Sequence, residues 1–400
     1  MGRLQLKMRR YNTGVADDGT LRGFSRGEFA RRVGAAQRRM ARARLDAIVL
    51  TTAADIYYFS GFHTLFWQSP SRPWFLIVPA DGAPSAVIPD IGAAAMAKTW
   101  IDDIRCWPSP RPRDEGVSLL AAALKKIPGR RGKIGMMLGS ESVVRMPLSD
   151  FLKLRDLLRP ISVADCAPLM QNLRMCKSPA EIAKIRRVAG ISAAAFAALP
   201  SLAAAEMGTR EIVRRLQTRM IADGADDVPY LSAASGDGGY DDIISAPDSV
   251  AVKTGRILMI DAGARRDGYF CDFNRNYAVG RQADTDTRRA LATLTRALKA
   301  GFAAVRPGAT AADVWRAMCA ELPASGAGRM GHGVGLQLTE PPSLSKNDST
   351  VLRENMILAL EPSLVVAPGK ILVCEENILV REDGARWLHR RAGSALPLIS

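Results

Sequence analysis

Two aspartates in the C-terminal half of the chain follow apolar stretches that a β-hairpin would bring together. Asp261 comes after Ile257-Leu-Met-Ile260, and Asp272 comes after Tyr269-Phe-Cys271. If Arg265 to Gly268 form the connection, the two carboxylates lie directly opposite one another, about 5 Å apart on one face. Partly desolvated carboxylates repel each other, and a divalent cation between them removes that penalty. The alternative is that one or both face solvent at the mouth of the hairpin.

A second hairpin brings further acidic residues together. Glu361 ends the apolar run Met356-Ile-Leu-Ala-Leu360, and Glu375 and Glu376 interrupt another apolar run after a turn that contains Pro368. A turn centred on Pro368 places Glu361 opposite Glu375, whereas a two-residue Pro-Gly turn places it opposite Glu376. The pattern of residues leaves both registers open.

A histidine between glycines adds a nitrogen ligand to these acids. His332 stands between Gly331 and Gly333, where the backbone can approach a neighbouring group closely. A lone histidine is usually a structural hydrogen bonder. Together with four carboxylates, however, one imidazole makes a ligand set suited to Mn, Fe, Co or Zn.

The elements around these residues indicate two domains, because 400 residues exceed what one hydrophobic core usually organises. An amphipathic helix from Arg26 to Ala43 precedes strand candidates and further helices, which is typical of an α/β layer domain. Farther on, Ser178, Pro179 and Glu181 form the capping box that begins a long helix. We predict an N-terminal extension, an α/β domain, a basic linker and a C-terminal domain, over residues 1–24, 25–165, 166–177 and 178–400.

The composition narrows the choice of partners and compartment. The net charge of +15 would suit a polyanion, but the basic residues are dispersed and no nucleic-acid motif accompanies them, so we expect no nucleic-acid partner. The six cysteines include no C-x-x-C pair and are expected to be free thiols. The N-terminus lacks an apolar leader, and no apolar run is long enough to span a membrane. We therefore expect a cytoplasmic protein with no membrane partner.

With these motifs in place, the sequence resembles the pita-bread metallopeptidase family, in its creatinase, Xaa-Pro dipeptidase and aminopeptidase P branch. The resemblance covers nearly the whole chain and implies a creatinase-type N-terminal α/β domain followed by a pita-bread catalytic domain of the α+β class. It rests on an ordered set of motifs: Tyr58-Phe-Ser-Gly-Phe62, Lys177-Ser-Pro-Ala-Glu-Ile182, Asp261-Ala-Gly263, Asp272-Phe-Asn-Arg275, Gly331-His-Gly-Val-Gly-Leu336, Glu340-Pro-Pro342, Leu360-Glu-Pro362 and Glu375-Glu-Asn-Ile-Leu-Val-Arg-Glu-Asp-Gly384.

The resemblance also implies the cofactor and the roles of the site residues. It implies two divalent transition-metal ions (Mn, Fe, Co or Zn), held by Asp261, Asp272, His332, Glu361 and Glu375. It favours Glu375 over Glu376 as the last ligand. Glu361 and His332 would be catalytic, with Glu361 acting as ligand and proton shuttle.

The chain departs from the proline-directed members of this family at two positions. Those enzymes carry one histidine about seventeen residues before the first metal aspartate and another directly before the glutamate of His-Glu-x-Pro. Here the positions fall in Asp242-Ile-Ile-Ser245 and at Thr339, which argues against peptidase activity on Xaa-Pro substrates. The leading prediction is a metal-dependent hydrolase of an amide-like carbon–nitrogen bond in a small molecule or dipeptide. A lyase acting on a small carboxylate, similar to dimethylsulfoniopropionate lyases, is the alternative, and a non-catalytic binding protein is a third.

Three further residues are predicted to contact the substrate. Arg275 could bind an anionic group, although a salt bridge behind the aspartates is the simpler interpretation. His63 and Trp67 lie in an aromatic segment that could form a pocket wall or only a local core cluster. Creatinase-type enzymes usually form dimers in which the N-terminal domain reaches a partner's site. We therefore expect a homodimer in which His63 acts in trans.

Overall fold

The computed structural model describes residues 22–69, 72–129, 131–323, 328–393 and 395–400. These residues form two compact units, with the division between Arg174 and Met175. The predicted extension, residues 1–24, lies outside the described residues except for its last three positions. In the described part of the chain, no helix is both long and apolar enough to cross a membrane.

The N-terminal unit is an α/β layer built on one mixed sheet of six strands, in the order β4-β3-β2-β1-β5-β6. Its core packs helices α4 and α5 against apolar side chains of β1, β2 and β5. The predicted amphipathic helix α1 has the bounds expected from its pattern. The strands are Ala47–Leu50, Phe75–Pro79, Ser85–Pro89, Asp103–Trp107, Lys133–Met136 and Ser162–Asp165, and the helices α1–α6 are Arg26–Ala43, Ala53–Ser60, Ala93–Met96, Val117–Lys125, Leu148–Leu158 and Ala167–Met175.

Helix α6 occupies most of the segment that was predicted as a linker. Ala167, Met170 and Leu173 are buried at a spacing of three residues, the spacing of one helix face, which the basic composition of the segment obscures. Arg174 forms a buried ion pair with Asp55 over 2.9 Å. The boundary between the two units follows Arg174 and so falls inside the predicted linker range.

The C-terminal unit is an α+β layer in which helices pack on mainly antiparallel sheets, with β18 parallel to β10. One sheet has the order β18-β10-β8-β7 with β9 paired to β8, the second has the order β12-β11-β13-β16-β17, and β14 and β15 form a hairpin. The helices α7–α10 are Pro179–Leu202, Thr209–Ala222, Thr285–Ala304 and Ala311–Cys319. The strands β7–β18 are Asp227–Gly236, Ile257–Arg266, Tyr269–Phe270, Phe273–Val279, Gly331–Gly333, Glu340–Ser343, Ile357–Leu360, Ser363–Ala367, Lys370–Val373, Glu376–Arg381, Gly384–Trp387 and Leu398–Ile399.

Candidate metal centre

The hairpin that carries the two aspartates turns at Asp267 and Gly268, and its register differs from the prediction. Both residues have positive φ, 51° and 79°, as a two-residue type I′ turn requires. Asp261 therefore pairs with Asn274 and not with Asp272. The predicted four-residue connection was wrong because the Asp-Gly dipeptide is itself the turn. The shift is two residues, which keeps side chains on the same face, so Asp261 and Asp272 remain neighbours.

Asp272 lies between β9 and β10, where the pairing of this part of the chain with β8 is interrupted. The Asp272 amide donates to the Asn377 side-chain oxygen over 2.9 Å, and the Asn377 amide nitrogen donates to the Asp272 carbonyl oxygen over 2.7 Å. Asn377 is fully buried in β16. This reciprocal pair joins the two sheets at the position of a predicted metal ligand. The sequence analysis missed Asn377, although a lone amide inside an apolar strand was the signal.

The second hairpin places Glu361 opposite Glu375. Before Glu361, β13 pairs with β16, and Leu360 lies opposite Glu376. After Glu361, β14 pairs with β15 in the same register, and Ser363 lies opposite Val373. Pro368 and Gly369 form a two-residue turn between paired Ala367 and Lys370, and a bulge between Val365 and Ala367 shifts the pairing by the one residue that this register needs. The turn is therefore that of the second alternative considered for the hairpin, but the bulge gives the Glu361–Glu375 pairing of the first.

His332 is oriented by its own strand. Its Nδ1 lies 3.0 Å from the carbonyl oxygen of Gly333, which assigns the ring proton to Nδ1 and leaves Nε2 as an acceptor. Nε2 lies 3.4 Å from the Asp272 carboxylate and 3.9 Å from that of Glu375. Gly331 is required here, because its φ is 137° and a Cβ would lie 2.1 Å from the Ala359 carbonyl oxygen.

Ligand atoms of the five predicted residues converge in two groups. Asp272, His332 and Glu375 form one group, and Asp261, Glu361 and Glu375 form the other, so that Glu375 belongs to both. Within each group, the potential ligand atoms all lie within 4.8 Å of one another. One oxygen each of Asp261 and Asp272 and both oxygens of Glu375 are buried and find no hydrogen-bond donor among the described residues. Buried carboxylate oxygens without partners are costly, and divalent cations would compensate them. The donor set, hard oxygens with one imidazole, fits such ions.

The pKa shifts of these five residues in the protein without metal are those expected of a site for divalent cations. Burial raises the pKa of Asp261, Asp272 and Glu375 well above the ordinary carboxyl range, and the mutual repulsion of the carboxylates raises it further. Burial also raises the pKa of Glu361 and lowers that of His332 to about 4. His332 is therefore neutral at physiological pH, which is the form that ligates metal.

Arg275 lies behind the ligand strands. Its Nη1 donates to the carbonyl oxygen of Glu375 over 2.8 Å, and its Nη2 lies 2.9 Å from the Glu376 carboxylate. His389 contacts the same carboxylate over 3.3 Å. The structure therefore favours the salt-bridge interpretation of Arg275 over a substrate contact.

Two residues near the centre were not singled out from the sequence. Tyr230 lies on β7, and its phenol interacts electrostatically with three of the ligand carboxylates. Arg329 is exposed, and its positive charge lowers the pKa of Asp272 and Glu361. No spacing motif in the sequence links either residue to the ligands.

His63 and Trp67 belong to the N-terminal unit. Trp67 packs against Phe62 and Trp74, with the Arg145 guanidinium 5.0 Å from its ring, so the predicted local aromatic cluster exists. His63 is exposed. Their role as substrate contacts stays a prediction.

The convergence of buried carboxylates and one imidazole on an α+β scaffold defines a candidate site for divalent metal ions. The sequence profile of metallopeptidase family M24 matches residues 183–382, and that of the creatinase/prolidase N-terminal domain matches residues 32–176. The chain belongs to metallopeptidase family M24.

Relatives and solved structures agree with this membership. The chain is 27% identical to the probable dipeptidase PepE of Mycobacterium bovis over 382 residues, which cover 91% of this chain and 95% of the relative. It is 24% identical to the Xaa-Pro dipeptidase of Pyrococcus furiosus over 356 residues, which cover 86% of this chain and 93% of the relative. The crystal structure of dipeptidase PepE from Mycobacterium ulcerans is similar with a TM-score of 0.80 at 26% identity, covering 94% of this chain and 99% of the other. The crystal structure of a recombinant prolidase from Thermococcus sibiricus shares the fold, with a TM-score of 0.82 at 22% identity. The match covers 92% of this chain and 99% of the other.

Proposed function

We propose that this protein is a dipeptidase-type hydrolase that uses two divalent transition-metal ions. The observation that carries the proposal is the pair of ligand groups that share Glu375, with four buried carboxylate oxygens left without hydrogen-bond donors in the described structure. One group would hold each ion, and Glu375 would bridge them. Relatives that align over most of the chain are named dipeptidases, which supports a dipeptide as the substrate class.

The bound ions would supply Lewis acidity and lower the pKa of a water molecule toward neutrality. Glu361 is the ligand with the most accessible side chain, and burial raises its pKa. A carboxylate of this kind can take a proton from the attacking water and return it to the leaving amine. We assign that role to Glu361, while neutral His332 and the aspartates hold the ligand geometry.

We further propose that the enzyme is not restricted to substrates with proline. Thr339 and the segment around Ser245 stand where proline-directed members carry histidines, and Ser245 instead donates to Asp242 over 2.5 Å. The exposed guanidinium of Arg329 gives the site a cation that suits the free carboxylate of a dipeptide. The relatives do not favour the lyase or the non-catalytic alternative, because those named for an activity are dipeptidases.

Product analysis tests the proposal. Protein loaded with Mn²⁺, Co²⁺, Fe²⁺ or Zn²⁺ should release free amino acids from dipeptides without proline at rates that equal or exceed those for Xaa-Pro dipeptides. In ¹⁸O-labelled water, one label should enter the new carboxylate. An unsaturated product without label would overturn hydrolysis, as would failure to cleave any dipeptide with every metal.

We also propose that the protein is a cytoplasmic homodimer. Six free cysteines and no disulfide among the described residues suit a reducing compartment. Light scattering of the purified protein would test the dimer, and a mass of one chain would contradict it.

A further inference from the structure

Tyr230 has a defined place on the face of the sheet that carries the metal ligands. On neighbouring antiparallel strands, Tyr230 pairs with Gly263 and Ser232 pairs with Asp261. Directly paired residues project to the same face, and so do residues two apart in one strand. Tyr230 and Ser232 therefore share the face of Asp261.

Gly263, opposite Tyr230, lets another side chain pack beside the tyrosine. An added Cβ at Gly263 would lie 2.2 Å from Leu338 Cδ1 and 3.5 Å from the Tyr230 Cβ, so Leu338 fills the space that a side chain there would take. The tyrosine is half-buried. Burial raises the pKa of its phenol to about 12, and the charges of Asp261, Asp272 and Glu361 contribute. The hydroxyl thus lies within electrostatic range of carboxylates from both ligand groups and stays protonated at neutral pH.

The phenol is a neutral hydrogen-bond donor near the candidate metal centre, and it interacts with the neighbouring Ser232 hydroxyl. The Ser232 hydroxyl donates to the Ile243 carbonyl oxygen over 2.9 Å, so its proton is already engaged. Thr339 and the segment around Ser245 supply no imidazole. Hydrolysis of an amide needs donors where the carbonyl oxygen gains negative charge, and Tyr230 is a residue on this face that can supply one.

We propose that the Tyr230 hydroxyl donates a hydrogen bond to the substrate's carbonyl oxygen as that oxygen becomes an oxyanion, an inference that rests on the proposed function. Attack of water forms a carbon–oxygen bond, its proton goes to Glu361, and the π electron pair moves to the carbonyl oxygen. Tyr230 keeps its proton throughout. The carbonyl re-forms as the carbon–nitrogen bond breaks, and Glu361 returns the proton to the leaving amine.

Tyr230→Phe tests this role without removing the ring. We expect kcat to fall roughly 100-fold, the scale of losing one oxyanion donor, with KM changed less than about threefold. Binding of the phosphinic analogue of Ala-Ala to the Mn²⁺-loaded variant, measured by calorimetry, should weaken at least about tenfold, because its tetrahedral oxygen mimics the oxyanion. Binding of free alanine and the content of metal should stay at wild-type values. Tyr58→Phe is the matched control, since it removes a tyrosine hydroxyl that contacts the Leu173 carbonyl oxygen within the N-terminal unit.

The outcomes separate this inference from the proposed function. A wild-type protein that cleaves no dipeptide overturns the proposed function. An active wild type with Tyr230→Phe equally active, or with unchanged affinity for the phosphinic analogue, overturns the role of Tyr230. Loss of metal from Tyr230→Phe would also overturn it, because that result makes Tyr230 a residue that positions Asp261.

Discussion

The side chain of Arg275 donates to the main-chain carbonyl oxygen of Glu375 over 2.8 Å. The bond connects a buried cation to the backbone of the residue whose carboxylate belongs to both ligand groups. The same guanidinium pairs with Glu376, and the side chains of Arg275 and Glu376 are 10% and 5% exposed. Arg275 therefore fixes the strand that presents Glu375.

Arg275→Ala should destabilise the protein by about 3 to 5 kcal/mol, because it leaves the Glu376 carboxylate buried without its cation. Arg275→Ala combined with Glu376→Gln should recover part of this loss, since glutamine carries no charge. Urea unfolding of the metal-free proteins measures both. Arg386→Ala is the control, because its partner Asp383 is exposed and such pairs contribute about 0 to 1 kcal/mol. A stable Arg275→Ala protein with a raised KM would instead support the substrate contact.

Asp272→Ala should reduce the bound metal by at least one equivalent and lower kcat/KM by more than about 100-fold, because it removes an oxygen ligand from one group. Elemental analysis after dialysis measures the metal, and Asp286→Ala, an exposed aspartate on helix α9, is the matched control. Unchanged metal content in Asp272→Ala would contradict the ligand assignment.

The candidate ligands could be identified from the sequence because their signals are local: an acid at the end of an apolar run, or a histidine between glycines. The register of the first hairpin was wrong by two residues, and the site survived because an even shift preserves the face. Residues whose contacts depend on the pairing of strands far apart in the sequence were missed. Asn377 meets Asp272 only across two sheets, and Tyr230 reaches the carboxylates only through the pairing of β7 with β8.

Metal binding should release protons, and the stabilisation by metal should grow as the pH rises. The pKa values of Asp261, Asp272 and Glu375 are raised in the folded protein without metal. These groups hold protons more tightly in the folded chain, so their stabilisation is fully present below the ordinary carboxyl pKa of about 4 and is lost as the pH rises toward the folded values. Ions must displace these protons, so they bind better at higher pH.

Thermal unfolding with Mn²⁺ and with chelator, from pH 5 to pH 8, should show a metal-dependent increase in Tm that widens with pH. Calorimetric titration in two buffers of different ionisation enthalpy should give roughly one to three protons released per chain near pH 6. Asp272→Asn should release fewer protons. A metal effect on Tm that is independent of pH, with no proton release, would contradict the raised pKa values.

His63 should act on the substrate and not on the metal. His63 is exposed beside an aromatic cluster that holds Trp67, and the metal ligands all lie in the C-terminal unit. His63→Ala should therefore lower kcat/KM roughly 10- to 100-fold with unchanged metal content. His332→Ala should lose metal as well as activity, because it removes the imidazole ligand.

If the N-terminal domain of one subunit serves the metal centre of the other, mixing His63→Ala with His332→Ala should restore part of the activity, since some heterodimers contain one intact composite site. Subunits that exchange without restoring activity would show that His63 does not act in trans.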